Sequence, residues 1–257
     1  MFISIVTVVY NGEKTIRRTI ESVLCQEFKD YEYIIVDGLS KDNTIAIAKE
    51  YEERFEGRLR IYSEKDKGIY DAMNKGIKLA KGDYVWLVNA DDYICDNALQ
   101  ELYDYCKSID FRECVISSGM NLVDSSTNQI KYTAKGGNVE SFNKACKKLK
   151  MGICHPATIV HREIYAKIGM YDDRYYISAD VDFCIRCYRE KILVLFSSLI
   201  ITNMTDGGIS HILPFKKSLH DCNIRTSKFC KNSIHRLFYT LWYIGRLIVV
   251  KIIGYQN

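Results

Sequence analysis

Over the first hundred residues, short apolar runs alternate with segments in which apolar residues recur at helical spacing. Ile3 to Val9 reads as a strand, Tyr10-Asn11-Gly12 as its turn, and Lys14 to Gln26 as a helix with Ile16, Ile20, Val23 and Leu24 on one face. Tyr31 to Val36 is a second strand, ending in Asp37-Gly38, after which Ser40 or Asp42 can cap a helix running to about Phe55. Arg58 to Ser63 is a third strand. It leads through Glu64 to Gly68 into a helix over Ile69 to Ala80, and then into a fourth strand, YVWLV, from Tyr84 to Val88. This alternation predicts an α/β fold with a mostly parallel sheet flanked by helices. It also gathers Asn11, Asp37, the Glu64 to Gly68 loop and Asp91-Asp92 along the carboxyl edge of that sheet, the usual ligand edge of open α/β folds.

The fourth strand stops abruptly at Asn89, Ala90, Asp91 and Asp92. Adjacent carboxylates there are hard oxygen ligands suited to Mg²⁺ or Mn²⁺ carrying a phosphorylated substrate. Neighbouring side chains of an extended chain point to opposite faces, so Asp91 and Asp92 are expected to divide their work, one on metal and one on ligand, unless a turn brings them together. The alternative is a helix start, with Asp92 or Asp96 capping the segment from Asn97 to Lys107. The first turn offers only Gly12, which excludes the G-x-G-x-x-G dinucleotide fingerprint, and no G-x-x-x-x-G-K-[ST] phosphate loop occurs. Phosphate must then be held another way, and a divalent ion on the acidic pair, helped by a lysine such as Lys67, would do it.

Composition narrows the class. A chain of 257 residues with 47% hydrophobic content can bury a full core. A net charge of +4 is too mild to point to nucleic acid. Ten cysteines without framework spacing indicate reduced thiols in a cytosolic protein, and the one CxxC pair, Cys184 and Cys187, is expected to be packing within a helix. The opening MFISIVTVV lacks a basic n-region and reads as a strand rather than a signal peptide.

Three runs, TVVYNGEKTIRRTIESVLCQ, YIIVDGLSKDNT and SEKDKGIYDAMNKGIKLAKGDYVWLVNADD, in this order and spacing resemble the nucleotide-sugar half of glycosyltransferase family 2 enzymes of GT-A fold, of the bacterial polysaccharide-assembly kind. The similarity runs over roughly residues 3 to 212, and divides the chain into a nucleotide-sugar half (1–96), an acceptor and catalytic half of the same domain (97–212) and a tail (213–257). The resemblance implies that Tyr10, Asn11 and Asp37 contact nucleobase and ribose, that Lys67, Asp71 and Asn74 lie near the donor, and that Asp91-Asp92 is the DXD-like motif. In it Asp92 would be the metal ligand and Asp91 would sit nearer the ribose. Two departures stand out: Asn89 replaces a further Asp before the acidic pair, and Gly38 replaces the second Asp after strand two.

Past Asn97 the alternation is irregular. Cys114 to Gly119 and Ile130 to Thr133 read as strands about an Asp124-Ser125-Ser126 turn, and Val139 to Leu149 as a basic helix. The segment HPATIVHREIYAKIGMYDD resembles the family's approach to the acceptor site, which makes His155 an acceptor-side contact and leaves His161 structural. SADVDF occupies the place of the family's Glu-Asp-type motif, so Asp180 matches the catalytic base, Ala179 replaces its acidic neighbour, and Asp182 falls on the acceptor side. Read without the resemblance, both carboxylates could be helix caps. Leu193 to Phe196 is a further strand, Gly207 to Ser210 a flexible loop able to approach a diphosphate, and His211 either a metal or phosphate contact or a loop residue.

The tail turns basic with Lys216, Lys217, Arg225, Lys228, Lys231 and Arg236, then apolar and aromatic from Phe238 to Tyr255. Arg246 and Lys251 argue against a membrane span, and the basic approach with Trp242 and the tyrosines suits a helix lying in the headgroup region, but the two cations stand about 140° apart and leave its polar face untidy. The competing expectation is packing on its own domain or on a second subunit of a homo-oligomer. The resulting expectation is an inverting, metal-dependent (Mn²⁺ or Mg²⁺) glycosyltransferase at the inner face of the membrane. It would move a sugar from a nucleotide-diphosphate donor, by the family's lean a UDP-sugar, to a hydroxyl of a glycan or lipid-linked saccharide. The alternatives are a nucleotidyltransferase, which would release pyrophosphate, and a non-catalytic nucleotide-sugar-binding scaffold.

Overall fold

The computed structural model describes residues 1–208 and 215–253, with side chains described as far as residue 245. Strands β1 (Ile3–Val9), β2 (Tyr31–Asp37), β3 (Leu59–Ser63) and β4 (Tyr84–Leu87) run parallel in the order β3-β2-β1-β4, as the alternation predicts. Every residue of β1, β2 and β4 is buried because helices cover both faces. The pleat sorts the side chains: Ile3, Ile5, Tyr33, Ile35, Tyr84 and Trp86 enter one core, while Val6, Val8, Ile34, Val36, Val85 and Leu87 enter the other. Helix α1 (Ile16–Leu24) presents Ile16, Ile20 and Val23 to the first core, and α3 (Ile69–Leu79) presents Tyr70, Met73 and Ile77 to the second. The helix after β2 is shorter than expected. As α2 it covers only Thr44–Lys49, followed by a 3-10 turn over Glu53–Phe55 that ends with Glu56 in a left-handed conformation.

Beyond β4 the same sheet continues with mixed polarity. After the short β5 (Tyr93–Ile94), α4 (Ala98–Ser108) leads to the hairpin β6 (Val115–Val123) and β7 (Ile130–Ala134). Next come α5 (Val139–Lys147), β8 (Thr158–His161), α6 (Arg162–Ile168), α7 (Ala179–Arg189) and β9 (Val194–Thr205). The full order is β3-β2-β1-β4-β8-β6-β9-β5, with β7 on β6. β8 is antiparallel to both β4 and β6, and β9 runs parallel to β6. Two consequences follow for the carboxyl edge of β4. An antiparallel β8 starts where β4 ends, which brings His155-Pro156 there, with the Pro156 carbonyl accepting Trp86 Nε1 at 3.0 Å. A β9 aligned with β4 delivers Thr205 to the same edge.

The tail forms α8 (Phe215–Phe229) and α9 (Ser233–Ile253). α8 is built into the domain: Cys222, Arg225, Thr226 and Phe229 are buried, and Lys228 Nζ meets Asp182 Oδ1 at 2.7 Å. α9 packs on α8 and on the turn after α5, where Tyr239 donates to the Leu149 carbonyl at 3.0 Å. Among the described residues no helix is long and apolar enough to cross a membrane. Cys184 and Cys187 are buried on α7, as packing requires, and Cys146 Sγ lies 3.5 Å from Cys184 Sγ.

Candidate active site

A cleft of about 420 Å³ opens at the carboxyl edge of β1 and β4. Of the residues singled out from sequence, Tyr10, Asn11, Gly12, Asn89, Asp91, Asp92, His155, Asp180 and Gly208 line it. Its remaining wall includes Tyr70, Met73, Pro156, Ile177 and Thr205.

The acidic pair lies in a turn, closed by the Asp92 amide donating to the Asn89 carbonyl at 3.1 Å, and its two carboxylates differ in exposure. Asp92 is 2% exposed and both of its oxygens are engaged: Oδ1 accepts the Thr205 amide at 2.9 Å and Oδ2 accepts Asn89 Nδ2 at 3.1 Å. Burial, and then the neighbouring Asp91 charge, push its carboxyl up to about 7. Asp91 is half-buried; its carbonyl, not its carboxylate, takes the bonds from Arg18 and Thr205 Oγ1. Among the described residues no other residue donates a hydrogen bond to the Asp91 carboxylate, and Gly208 lies against its Oδ2. Burial raises its pKa, with Arg18 opposing. The helix-cap alternative fails, since α4 begins at Ala98 with no side-chain cap.

Asp180 sits in the first turn of α7, its Oδ1 on the Val181 amide at 2.7 Å. Burial raises its pKa and His155 lowers it. His155 Nε2 is 3.1 Å from the Tyr171 hydroxyl, and burial lowers its own pKa, with Asp180 opposing. The Tyr70 hydroxyl faces the amides of Ala179 and Asp180, and its ring stacks on Tyr171 at 5.7 Å. Asp180 therefore stands in a shell of aromatic hydroxyls and one imidazole, without the acidic neighbour that Ala179 replaces.

Other expected donor residues lie outside the cleft. Asp37 is fully buried at the end of β2, where its carboxylate accepts the Ser40 amide and Ser63 Oγ (2.6 Å) and so folds the loop after β2. Asp71 accepts the Lys67 amide at 2.9 Å and pairs with Lys75, while Lys67 itself is exposed. Asn74 brackets the Tyr171 backbone, donating to its carbonyl at 2.8 Å and accepting its amide at 3.0 Å. Asp182 is fully buried and bound by Arg186, Lys228 and the Tyr175 hydroxyl, so it holds α7 to its neighbours rather than facing an acceptor. Asn11 lines the cleft with its amide oxygen on the Lys41 amide. His161 is structural as expected, accepting the Glu163 amide and meeting Tyr84 edge-on. Gly207 is left-handed, whereas Ser210 and His211 lie outside the described residues.

Two features carry no sequence signal of their own. Asp66 Oδ2 occupies the space a Cβ on Gly38 would need, so a carboxylate stands beside the position where the second Asp after β2 is missing. Asp221 on α8 binds the backbone just ahead of Asp180. Both partners are distant in sequence, and only the folded chain pairs them.

Among the described residues no three His, Cys, Asp or Glu side chains group closely enough to hold an ion by themselves. The donor set nonetheless suits Mg²⁺ or Mn²⁺, which commonly take one or two protein carboxylates and complete their shell with substrate phosphates and water. Asp91 is the carboxylate here with oxygens to spare.

This sheet order, with helices on both faces and an acidic turn at the carboxyl edge of β4, defines the GT-A class of glycosyltransferases. The chain belongs to glycosyltransferase family 2, whose family model ("Glycosyl transferase family 2") matches residues 4–169. A PGL/p-HBAD biosynthesis glycosyltransferase of Mycobacterium bovis is 30% identical over 219 residues, covering 84% of this chain and 82% of the relative. Among solved structures, Staphylococcus aureus TarS 1–349 in complex with UDP-GlcNAc superposes with a TM-score of 0.70 at 17% identity, covering 96% of this chain and 72% of TarS 1–349. The mannosyltransferase PcManGT of Pyrobaculum calidifontis, in complex with GDP-Man and Mn²⁺, superposes at 0.61 with 12% identity, covering 98% and 75%.

Proposed function

We propose that the protein is an inverting glycosyltransferase that takes a sugar from a nucleotide-diphosphate donor, with UDP-sugars the first class to test. The observation that carries this reading is the presence of the Asp91 and Asp180 carboxylates in one cleft, on separate elements. Asp91 and Tyr10 would receive the donor, with the diphosphate over Asp91 and Gly208. A divalent ion held there by Asp91 would supply Lewis-acid stabilisation of the departing phosphate. Burial raises the pKa of Asp180, with His155 opposing, which makes it a stronger base than an exposed carboxylate. Asp180 takes the proton of an acceptor hydroxyl as that oxygen bonds to the anomeric carbon; the bond from that carbon to the diphosphate breaks, and the nucleoside diphosphate leaves. A single displacement of this kind inverts the anomeric centre. His155 and the Tyr171 hydroxyl keep the acceptor side of Asp180 polar.

The acceptor is proposed to be a glycan or lipid-linked saccharide at an anionic membrane surface, where α9 would rest. Ile234, Leu237, Phe238, Leu241 and Trp242 are exposed at helical spacing on α9. From residue 213 onward the chain has eight basic residues and one acid; Asp221 and Arg225 are buried and Lys228 is paired with Asp172 and Asp182, which leaves the segment net basic. Two copies of so basic a segment would repel, whereas anionic headgroups match both its charge and its apolar stripe.

Calorimetric titration with UDP, GDP and dTDP, with and without Mn²⁺, tests the donor half of the proposal. Manganese-dependent binding of one nucleotide, lost in Asp91→Ala, supports it. Absence of binding to all three would leave a degenerate scaffold.

A further inference from the structure

We infer that Asp221, on the tail helix α8, is a positioning residue for Asp180. The inference rests on the reading of Asp180 as the base. Asp221 is 1% exposed, and its carboxylate accepts four hydrogen bonds from the segment leading into α7. Oδ1 takes the Tyr176 amide at 2.8 Å, while Oδ2 takes the Ile177 amide at 2.9 Å, the Ser178 amide at 3.1 Å and Ser178 Oγ at 3.0 Å. A carboxylate removed from water is costly unless its lone pairs are satisfied, and here the positive end of α7 satisfies them. The next two amides, of Ala179 and Asp180, face the Tyr70 hydroxyl from α3. Asp221 thus holds Tyr176 to Ser178, directly ahead of Asp180, and Ile177 within that stretch lines the cleft together with Asp180.

The clamp comes from outside the segment that matches the family model, which ends at residue 169, and from an element 43–45 residues further along the chain. Helix α8 has a second tie to α7, the ion pair of Lys228 with the buried Asp182, which shares the first turn with Asp180 but does not line the cleft. The two ties separate placement of the base from general attachment of the tail. A base displaced by about 1 Å loses on the order of 100-fold in rate, so the clamp is expected to act on turnover rather than on donor affinity.

The test compares Asp221→Asn with Lys228→Met in the full chain. It uses hydrogen exchange of the Tyr176–Asp180 amides, UDP affinity with Mn²⁺, and UDP release from a UDP-sugar, with water serving as acceptor where none is known. Asp221→Asn is expected to speed exchange at Tyr176–Ser178 by tenfold or more, to lower kcat by roughly 10- to 100-fold, and to leave UDP affinity within twofold. Lys228→Met should keep kcat within about threefold, because Arg186 and the Tyr175 hydroxyl still satisfy the Asp182 carboxylate. Unchanged protection at Tyr176–Ser178 in Asp221→Asn overturns the clamp whatever the activity. Equal losses of kcat and melting temperature in both variants assign Asp221 a merely structural role and also overturn it. If Asp221→Asn does not fold, Ser178→Ala removes one of the four bonds and is expected to speed local exchange and lower kcat about threefold; no local change there counts against the inference. Failure of the wild type to bind any nucleotide would instead overturn the glycosyl-transfer reading, and the exchange result would still decide the clamp.

Discussion

The Asp92 carboxylate accepts the Thr205 backbone amide at 2.9 Å and so fastens the turn after β4 to the end of β9, 113 residues away. With Asn89 on its other oxygen, Asp92 shapes the edge of the site and leaves Asp91 to face the cleft.

The two neighbouring acids should therefore fail differently. Asp91→Ala is expected to weaken Mn²⁺-dependent nucleotide binding by tenfold or more with little change in melting temperature. Asp92→Ala leaves the Thr205 amide and Asn89 without their buried acceptor, at a cost of about 1–3 kcal/mol, and should lower the melting temperature by several degrees. Calorimetry and thermal unfolding of both variants check this; the reverse pattern would return the metal role to Asp92.

Stability should fall as pH rises. The folded Asp92 carboxyl titrates near 7, above its unfolded value, so the folded state holds the extra proton. Its contribution is complete below the unfolded pKa of about 4 and is lost as pH climbs through 7. Urea unfolding without metal should show lower stability at pH 8 than at pH 5, and Asp92→Asn should flatten that slope.

Removing the base should abolish chemistry and spare binding. Asp180→Asn is expected to reduce kcat by roughly 10²- to 10⁴-fold with UDP affinity within twofold. His155→Gln removes the group that lowers the Asp180 pKa, so the acid limb of the pH–kcat/KM profile should move to higher pH. Full turnover by Asp180→Asn would exclude that residue from the base role.

The exposed face of α9 should respond to lipid charge. The full chain is expected to co-sediment with vesicles containing anionic phosphatidylglycerol and not with neutral phosphatidylcholine vesicles, less so at high salt. Phe238→Glu with Leu241→Glu should abolish sedimentation without changing melting temperature. A concentration-dependent dimer in ultracentrifugation, lost in the same double variant, would assign the stripe to a second copy instead.

Much of the nucleotide half was legible in residue order. The runs Ile3–Val9, Tyr31–Val36 and Tyr84–Val88 are too continuously apolar to be anything but strands covered on both faces, and Ile16, Ile20 and Val23 repeat at the helical period. Parallel polarity then places Tyr10, Asn11 and Asp91-Asp92 at one edge, because successive parallel strands all end on the same side. The second half hid its polarity, since Thr158–His161 is only four residues long and nothing local says that it pairs antiparallel with β4. That pairing brings His155 to the acids.

The sequence by itself determined the α/β alternation, the family and which residues carry charge at the site. Tertiary structure decided how those charges are used. Asp37, Asp92 and Asp182 are spent on buried amides, hydroxyls or cations from distant elements, such as Thr205, Ser63 and Lys228, whereas Asp180 meets only the amide of its neighbour Val181 and Asp91 keeps its carboxylate for the cleft. Side-chain type is a local property, but satisfaction of its hydrogen bonds is a property of the packed chain.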